Sequence, residues 1–312
     1  MYTVVESATV ERMTLPEPGA DLNYAAGDPL TSTTMLWRIF REHDRGDDST
    51  ALDYIRLSSL VSNPVLPPDM FAALLVKLKR GEEKNCSAQK TPMSYDFLSS
   101  FFLNPLTTFD HVLDIVVNSA NLKEIVGLGE LRTVKTTVEL FDDLRSLIDF
   151  NSRGFPSGYR TFLTNLLCSP LISDEDFRAR IWFEEDMPKL SAWAIVVNSR
   201  FIPSAADYER ALKELSVGSF KTGLGIVINE NASPEFLVDA LKCAGDSWVH
   251  QNLNCPIELS ASYHFKNLES YEWRPSYALK LEQKTDEYLS SISNDVSWAD
   301  LPLSWKLKTI AG

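Results

Sequence analysis

A chain that must end one helix and start another within a few residues has few folds open to it, and the stretch Leu60-Val-Ser-Asn-Pro-Val-Leu-Pro-Pro-Asp-Met-Phe-Ala-Ala-Leu-Leu75 is of that kind. Asn63 precedes Pro64, so its backbone is pushed out of the α region and the incoming helix ends there. Pro67 and Pro68 suit the first turn of the next helix, where a missing N–H costs nothing, and Asp69 complements the positive end of its dipole. Met70, Phe71, Leu74, Leu75 and Leu78 then share one helical face.

The same grammar recurs. With Phe71 as anchor, Asp28-Pro29-Leu30-Thr31 leads to Leu36, Ile39 and Phe40, and Asn104-Pro105-Leu106-Thr107 leads to Val112, Ile115 and Val116. Ser169-Pro170-Leu171 leads to Phe177 and Ile181, with Arg180 breaking the apolar pair. Asn229, followed by Ser233-Pro234-Glu235, leads to Leu237, Ala240 and Leu241. Asn198-Ser199, then Ile202-Pro203-Ser204, leads to Tyr208, Ala211 and Leu212 after a short insertion. The anchors recur at intervals of roughly 30–40 residues, the mark of stacked units that bury their apolar faces against neighbours. The interval from Val112 to Phe177 is double and predicts a degenerate copy near Thr136–Phe141. A weaker copy surrounds Cys255-Pro256-Ile257.

The Asn-Pro-x-(Leu/Thr)-(Pro/Thr)-x-x-x-apolar pattern of Asn63–Phe71, echoed at Asn104–Val112, resembles the leucine-rich variant repeats, α-solenoid units related in architecture to HEAT and armadillo repeats. The resemblance spans about residues 28–245 and implies an all-α helical-repeat array. The spacing here is longer and less regular than in that family and closer to HEAT-like lengths. The cysteine cluster of the family's iron–sulfur-bearing members has no counterpart in this chain, so no cluster is expected.

Composition supports a folded protein. The apolar share is 44%, ordinary for a globular chain. The longest apolar run, Met70–Val76, is far short of the ~18 residues a membrane span needs. The amino terminus, Met1-Tyr-Thr-Val-Val-Glu-Ser-Ala-Thr-Val-Glu-Arg12, has charges where a secretory signal would have its apolar core, so a cytoplasmic location is expected. Cys86, Cys168, Cys243 and Cys255 stand apart, as buried free thiols do in a reducing compartment. The net charge is −13, which disfavours a phosphate-binding surface and favours cationic or neutral partners.

In chain order, residues 1–26 favour extended structure (Thr3, Val4, Val5, Thr9, Val10, Thr14) and then break at Pro16, Pro18 and Gly19, which predicts an N-terminal arm. Helical repeats are expected over 27–150 and 151–250, separated by the break Asn151-Ser-Arg-Gly-Phe-Pro-Ser-Gly158. Residues 251–312, with Trp273, Trp298 and Trp305, form either an atypical cap that seals the last apolar face or a docking tail. The acids fall in short groups at Asp44–Asp48, Asp142-Asp143, Asp174-Glu175-Asp176 and Glu184-Glu185-Asp186, as on solvated faces and helix N-termini.

No catalytic motif is present: there is no H-E-x-x-H, P-loop or G-x-S-x-G. Gly127-Leu-Gly129 and Gly223-Leu-Gly225 lack a third glycine, and the latter suits a helix C-cap. His43, His111, His250 and His264 are scattered. Lys77, Lys79, Arg80 and Lys84 form a basic cluster too small to reverse the overall sign. The chain is therefore expected to be a non-enzymatic scaffold that grips a protein or peptide partner, a basic one suiting its charge, without cofactor or metal and without contacting nucleic acid or membrane. Glu184, Glu185, Asp186, Trp298 and Trp305 are the candidate partner-binding residues. An acidic inhibitor that mimics nucleic acid is the alternative, and a helical-repeat enzyme acting on nucleic acid, which would need a basic groove, comes third.

Overall fold

The structure, a computed structural model, describes residues 22–44, 51–85, 95–118, 134–146, 157–181, 192–218, 222–244, 247–266 and 274–291. Among these residues there are sixteen α-helices, one 3-10 turn and no strand. The all-α expectation holds. The chain divides into two compact units, Met1–Ile195 and Val196–Gly312.

Unit 1 contains α1 (Leu22–Gly27), α2 (Thr33–His43), α3 (Ala51–Val61), α4 (Pro68–Asn85), α5 (Tyr95–Ser100, continued by a 3-10 turn at Phe101–Leu103), α6 (Phe109–Asn118), α7 (Thr137–Ser146), α8 (Ser157–Leu167) and α9 (Asp174–Ile181). Helices α1, α3, α5 and α8 pack in succession, each against the next. Aromatic rings join α3 to α5 and the 3-10 turn to α8: Tyr54 meets Phe97 at 5.3 Å and Phe102 meets Phe162 at 4.9 Å between ring centroids, while Phe97 meets Phe101 at 5.5 Å within α5 and its continuation. Helix α2 packs on α1 and α3, α7 packs on α8, and α4 reaches the row through Phe71. Leu36, Phe71, Val112 and Phe177 are all buried, as their equivalent positions predict. Phe71 packs edge-on against Phe101 and tilts against His111, both at 5.7 Å. Burial of this size contributes about 1.5–3 kcal/mol per large apolar side chain.

Several expectations bear on this unit. Helix α1 starts at Leu22, inside the stretch expected to be an extended arm, and its Ala25 and Ala26 are buried against α3; residues 1–21 lie outside the described residues. Most of the break expected at 151–158 lies outside the described residues, and α8, just beyond it, packs on α5. A helix, α7, stands where the copy near Thr136 is expected, with Leu140, Phe141 and Leu144 buried, yet α8 packs on α5 directly. Arg180, which breaks the apolar pattern of α9, joins that helix to α7: it donates to Asp142 at 2.6 and 2.9 Å and to Asp176 at 3.1 Å. Its hydrogen bond to Asp142 raises the guanidinium pKa further.

Unit 2 contains the end of α10 (Ala192–Val197), then α11 (Ala205–Ser216), α12 (Thr222–Ile228), α13 (Pro234–Ala244), α14 (Ser247–Gln251), α15 (Ile257–Lys266) and α16 (Pro275–Ser291). Helix α11 packs on α12 and α13, α12 on α14, α14 on α15, and α15 on α16. The Gly223-Leu-Gly225 fragment opens α12 rather than capping a helix. A Cβ at Gly223 would stand 2.9 Å from the Ala211 carbonyl oxygen, so glycine there permits the close approach of α11. The left-handed glycine after α11 is Gly218, with φ 73°. The packed helices also extend past residue 250, through α14 and α15, into the segment expected to be a cap or tail.

Candidate functional site

The turns between paired helices are the most regular feature of the molecule. At Asp28, Asn63, Asn104, Ser169, Asn229 and Asn252 the backbone N–H closes onto the carbonyl three residues earlier, ending the first helix. The carbonyl of each then accepts from the residue three later (Thr31, Leu66, Thr107, Ile172, Ala232 and Cys255), and Asn198 makes the same bond with Phe201. All seven of those later residues are buried. The side-chain oxygen of the first residue accepts from the N–H two residues on: Leu30 to Asp28, Val65 to Asn63, Leu106 to Asn104, Leu171 to Ser169, Arg200 to Asn198, Asn231 to Asn229 and Asn254 to Asn252. Asparagine, aspartate and serine all favour this local closure. Cys255 is thus the inward residue of a turn, and burial pushes its thiol pKa up.

Asparagine does something aspartate and serine cannot. Its amide also donates two protons, and these reach the preceding turn. Asn63 Nδ2 donates to the Ala26 and Asp28 carbonyls at 2.8 and 2.9 Å. Asn104 Nδ2 donates to Val61 at 2.5 Å and to Asn63 at 3.1 Å. In unit 2, Asn229 Nδ2 lies 2.6, 3.2 and 2.9 Å from the Val196, Asn198 and Phe201 carbonyls, and Asn252 Nδ2 donates to Val227 and Asn229 at 2.6 and 2.8 Å. All four asparagines are buried, and each gives a proton to a helix-end carbonyl (Ala26, Val61, Val196 or Val227) and to the carbonyl that also closes the preceding turn. Asp28 occupies the first described turn of unit 1, where only the acceptor role is required. Ser169 keeps the acceptor role, and its single hydroxyl proton cannot make the paired donation.

The outer edge of the turns differs between the units. In unit 2 a second row of asparagines crosses it: Asn231 Nδ2 donates to Ser199 and Phe201, and Asn254 Nδ2 to Glu230 and Ala232. In unit 1 the corresponding positions hold aliphatic side chains, each after an exposed proline. Leu30, Val65 and Leu171 are 51%, 49% and 40% exposed.

Two buried polar groups lie elsewhere. His43 Nδ1 is 3.1 Å from Asp53 Oδ1, joining α2 to α3. In unit 2, Tyr277 donates its hydroxyl proton to the Gln251 carbonyl at 3.1 Å, which leaves its oxygen to accept from His264 Nδ1–H at 3.0 Å. Burial, reinforced by the positive Lys284 and by His250, lowers the His264 pKa to about 4. Burial also lowers the pKa of Lys284. The cation expected in the basic cluster at Lys77 pairs with Asp44 at 2.7 Å. Among the described residues, no group of three His, Cys, Asp or Glu side chains is placed to hold a metal ion, and no helix is long and apolar enough to cross a membrane.

Glu184, Glu185, Asp186, Trp298 and Trp305 lie outside the described residues. Nothing local to Asn63, Asn104, Asn229 or Asn252 marks its amide as a donor to the preceding turn, and Asn229 and Asn252, unlike Asn63 and Asn104, are not followed directly by proline. The signal that could have found the unit 2 pair is the repetition of Asn-x-Asn, at Asn229–Asn231 and Asn252–Asn254. No family model, curated protein or solved structure matches this chain.

Proposed function

We propose that this is a helical-repeat protein of the α-solenoid kind and that it acts by holding a protein or peptide partner, not by catalysis. The observation that supports this is the asparagine ladder. Within each unit it ties successive turns backbone to side chain, so the row of turns becomes a stiff edge assembled from equivalent segments. A surface built from equivalent segments suits an extended partner, which can repeat its contacts from one turn to the next. The polar side chains buried in the turns are engaged in that scaffolding, and the net charge of −13 favours a cationic partner over nucleic acid. A cytoplasmic location fits the same reading.

The test is reconstitution. Proteins captured from the native source are purified singly and mixed with the chain, and the complex is weighed by size-exclusion chromatography with light scattering. A partner that forms a complex of fixed stoichiometry supports the proposal. A chain that elutes alone with every candidate, or that binds duplex DNA tightly at physiological salt, contradicts it.

A further inference from the structure

We propose that the proline–aliphatic edge of the unit 1 turns is the surface that takes the partner, and that the segment it takes carries lysine or arginine among aliphatic side chains. This rests on the protein-binding function proposed above and adds to it a location and a partner chemistry. Folding does not require the aliphatic residues. The bond that closes each turn uses only the backbone N–H of position two, and unit 2 fills that position with polar residues, Arg200, Asn231 and Asn254, the two asparagines also donating to the preceding turn. Unit 1 instead places Leu30, Val65, Leu106 and Leu171 there, the first two about half exposed.

These side chains lie on neighbouring turns. Asn63 bonds the carbonyl of Asp28, and Asn104 bonds that of Asn63, which sets Leu30, Val65 and Leu106 on consecutive rungs. Leu171 belongs to the next turn of the row: α8 packs on α5, and Asn165, just ahead of Ser169, donates to Ser99, just ahead of Asn104. The exposed prolines that precede them extend the apolar surface. Because proline has no N–H, a partner covering the edge orphans no backbone donor at those positions.

Charge decides the occupant. Residues 28–34, 63–69, 104–110 and 169–176 contain no lysine or arginine, whereas Asp69, Asp110, Asp174 and Glu175 are exposed on them. Such an edge repels phosphate-rich surfaces, whether nucleic acid or anionic lipid, and a second copy of itself would bring like charges together. A segment with aliphatic side chains for the turns and cations for the acids complements both features.

The probe is a displayed library of random peptides, panned on the immobilised full-length chain, and the selected peptides are synthesised. Their affinities are measured for the natural chain and for the combined variant Leu30→Ser, Val65→Ser, Leu171→Ser, whose fold is checked by circular dichroism. The proposal expects selected peptides enriched in Lys or Arg together with Leu, Ile or Val. It expects about a tenfold or greater loss of affinity in the variant, and weaker binding as salt rises. Basic peptides that bind both proteins equally would overturn the edge assignment and leave the scaffold function standing. Acidic or uncharged peptides would overturn the partner chemistry. A library that yields no binder would overturn both. A dimer in light scattering that the variant abolishes would assign the edge to a second copy, against the proposal.

Discussion

Replacing Asn63 by aspartate changes one nitrogen to oxygen and should be among the more damaging isosteric changes in the chain. Asn63 is fully buried; its amide donates to two carbonyls at 2.8 and 2.9 Å, and its oxygen accepts from Val65 N–H at 2.9 Å. Asn63→Ala removes all three bonds; the Asp28 carbonyl keeps the Thr31 N–H, while the Ala26 carbonyl and the Val65 N–H are left to whatever water can enter. At about 1 kcal/mol net per bond, with an added penalty for each orphaned group, the cost is about 3–5 kcal/mol. Asn63→Asp keeps the Val65 bond but sets an oxygen against two carbonyl oxygens, so the cost at neutral pH should equal or exceed that of alanine. Protonation supplies one donor and relieves part of it. The introduced carboxyl therefore has a raised pKa in the folded state. The folded state binds its proton more tightly than the unfolded state does, so stability is retained below the unfolded pKa and lost as pH rises through the folded one. The deficit relative to the natural chain should widen from about pH 4 to about pH 7. Urea denaturation followed by circular dichroism at several pH values measures it. An Asn63→Asp variant within about 0.5 kcal/mol of the natural chain at neutral pH would refute the donor role.

Three further outcomes follow from the packing and the buried histidine. Gly223→Ala should cost about 1–3 kcal/mol, because its Cβ would meet the Ala211 carbonyl at 2.9 Å; Gly218→Ala, with open space around it, should cost about 1 kcal/mol through its φ of 73° alone. Phe71→Ala and Phe177→Ala should each cost about 3–5 kcal/mol and Pro64→Ala far less, since the phenylalanines are buried and the proline is exposed; denaturation showing the reverse order would mean the core face is misassigned. The imidazole of His264 is held to about 4 when folded and returns to about 6.5 when unfolded. Its contribution, on the order of 3 kcal/mol, is therefore present above about pH 6.5 and lost as pH falls through about 4. A His264→Gln variant should show a flatter loss of stability over that range, and an unchanged slope would contradict the burial argument.

Much of the fold was legible because proline and helical periodicity act locally. Pro64 forces the stop at Asn63, and the apolar faces carried by Phe71, Val112, Phe177 and Leu237 are all buried where the register places them. What escaped depends on contacts distant in sequence. The choice of Asn over Asp at position 63 is settled by the Ala26 and Asp28 carbonyls, which local propensity cannot reveal. The role of Arg180 is settled by Asp142 on another helix, and that of Gly223 by the backbone of α11. Of the candidate site, the acidic residues at helix starts were visible. The aliphatic edge was not, since Leu30 and Leu171 look like core residues until the turn that exposes them is known.

The asparagine ladder is tested most directly by exchange of the side-chain amide protons, followed by NMR in a deuterated, asparagine-labelled sample. The account predicts that the Nδ2 protons of Asn63, Asn104, Asn229 and Asn252 exchange much more slowly than those of the exposed Gln283, labelled in a parallel sample. It also predicts that Asn63→Asp leaves Asn252 protected while weakening protection at Asn104, whose amide bonds the Asn63 carbonyl at 3.1 Å. Four asparagine amides that exchange as fast as Gln283 would show that no ladder joins the turns.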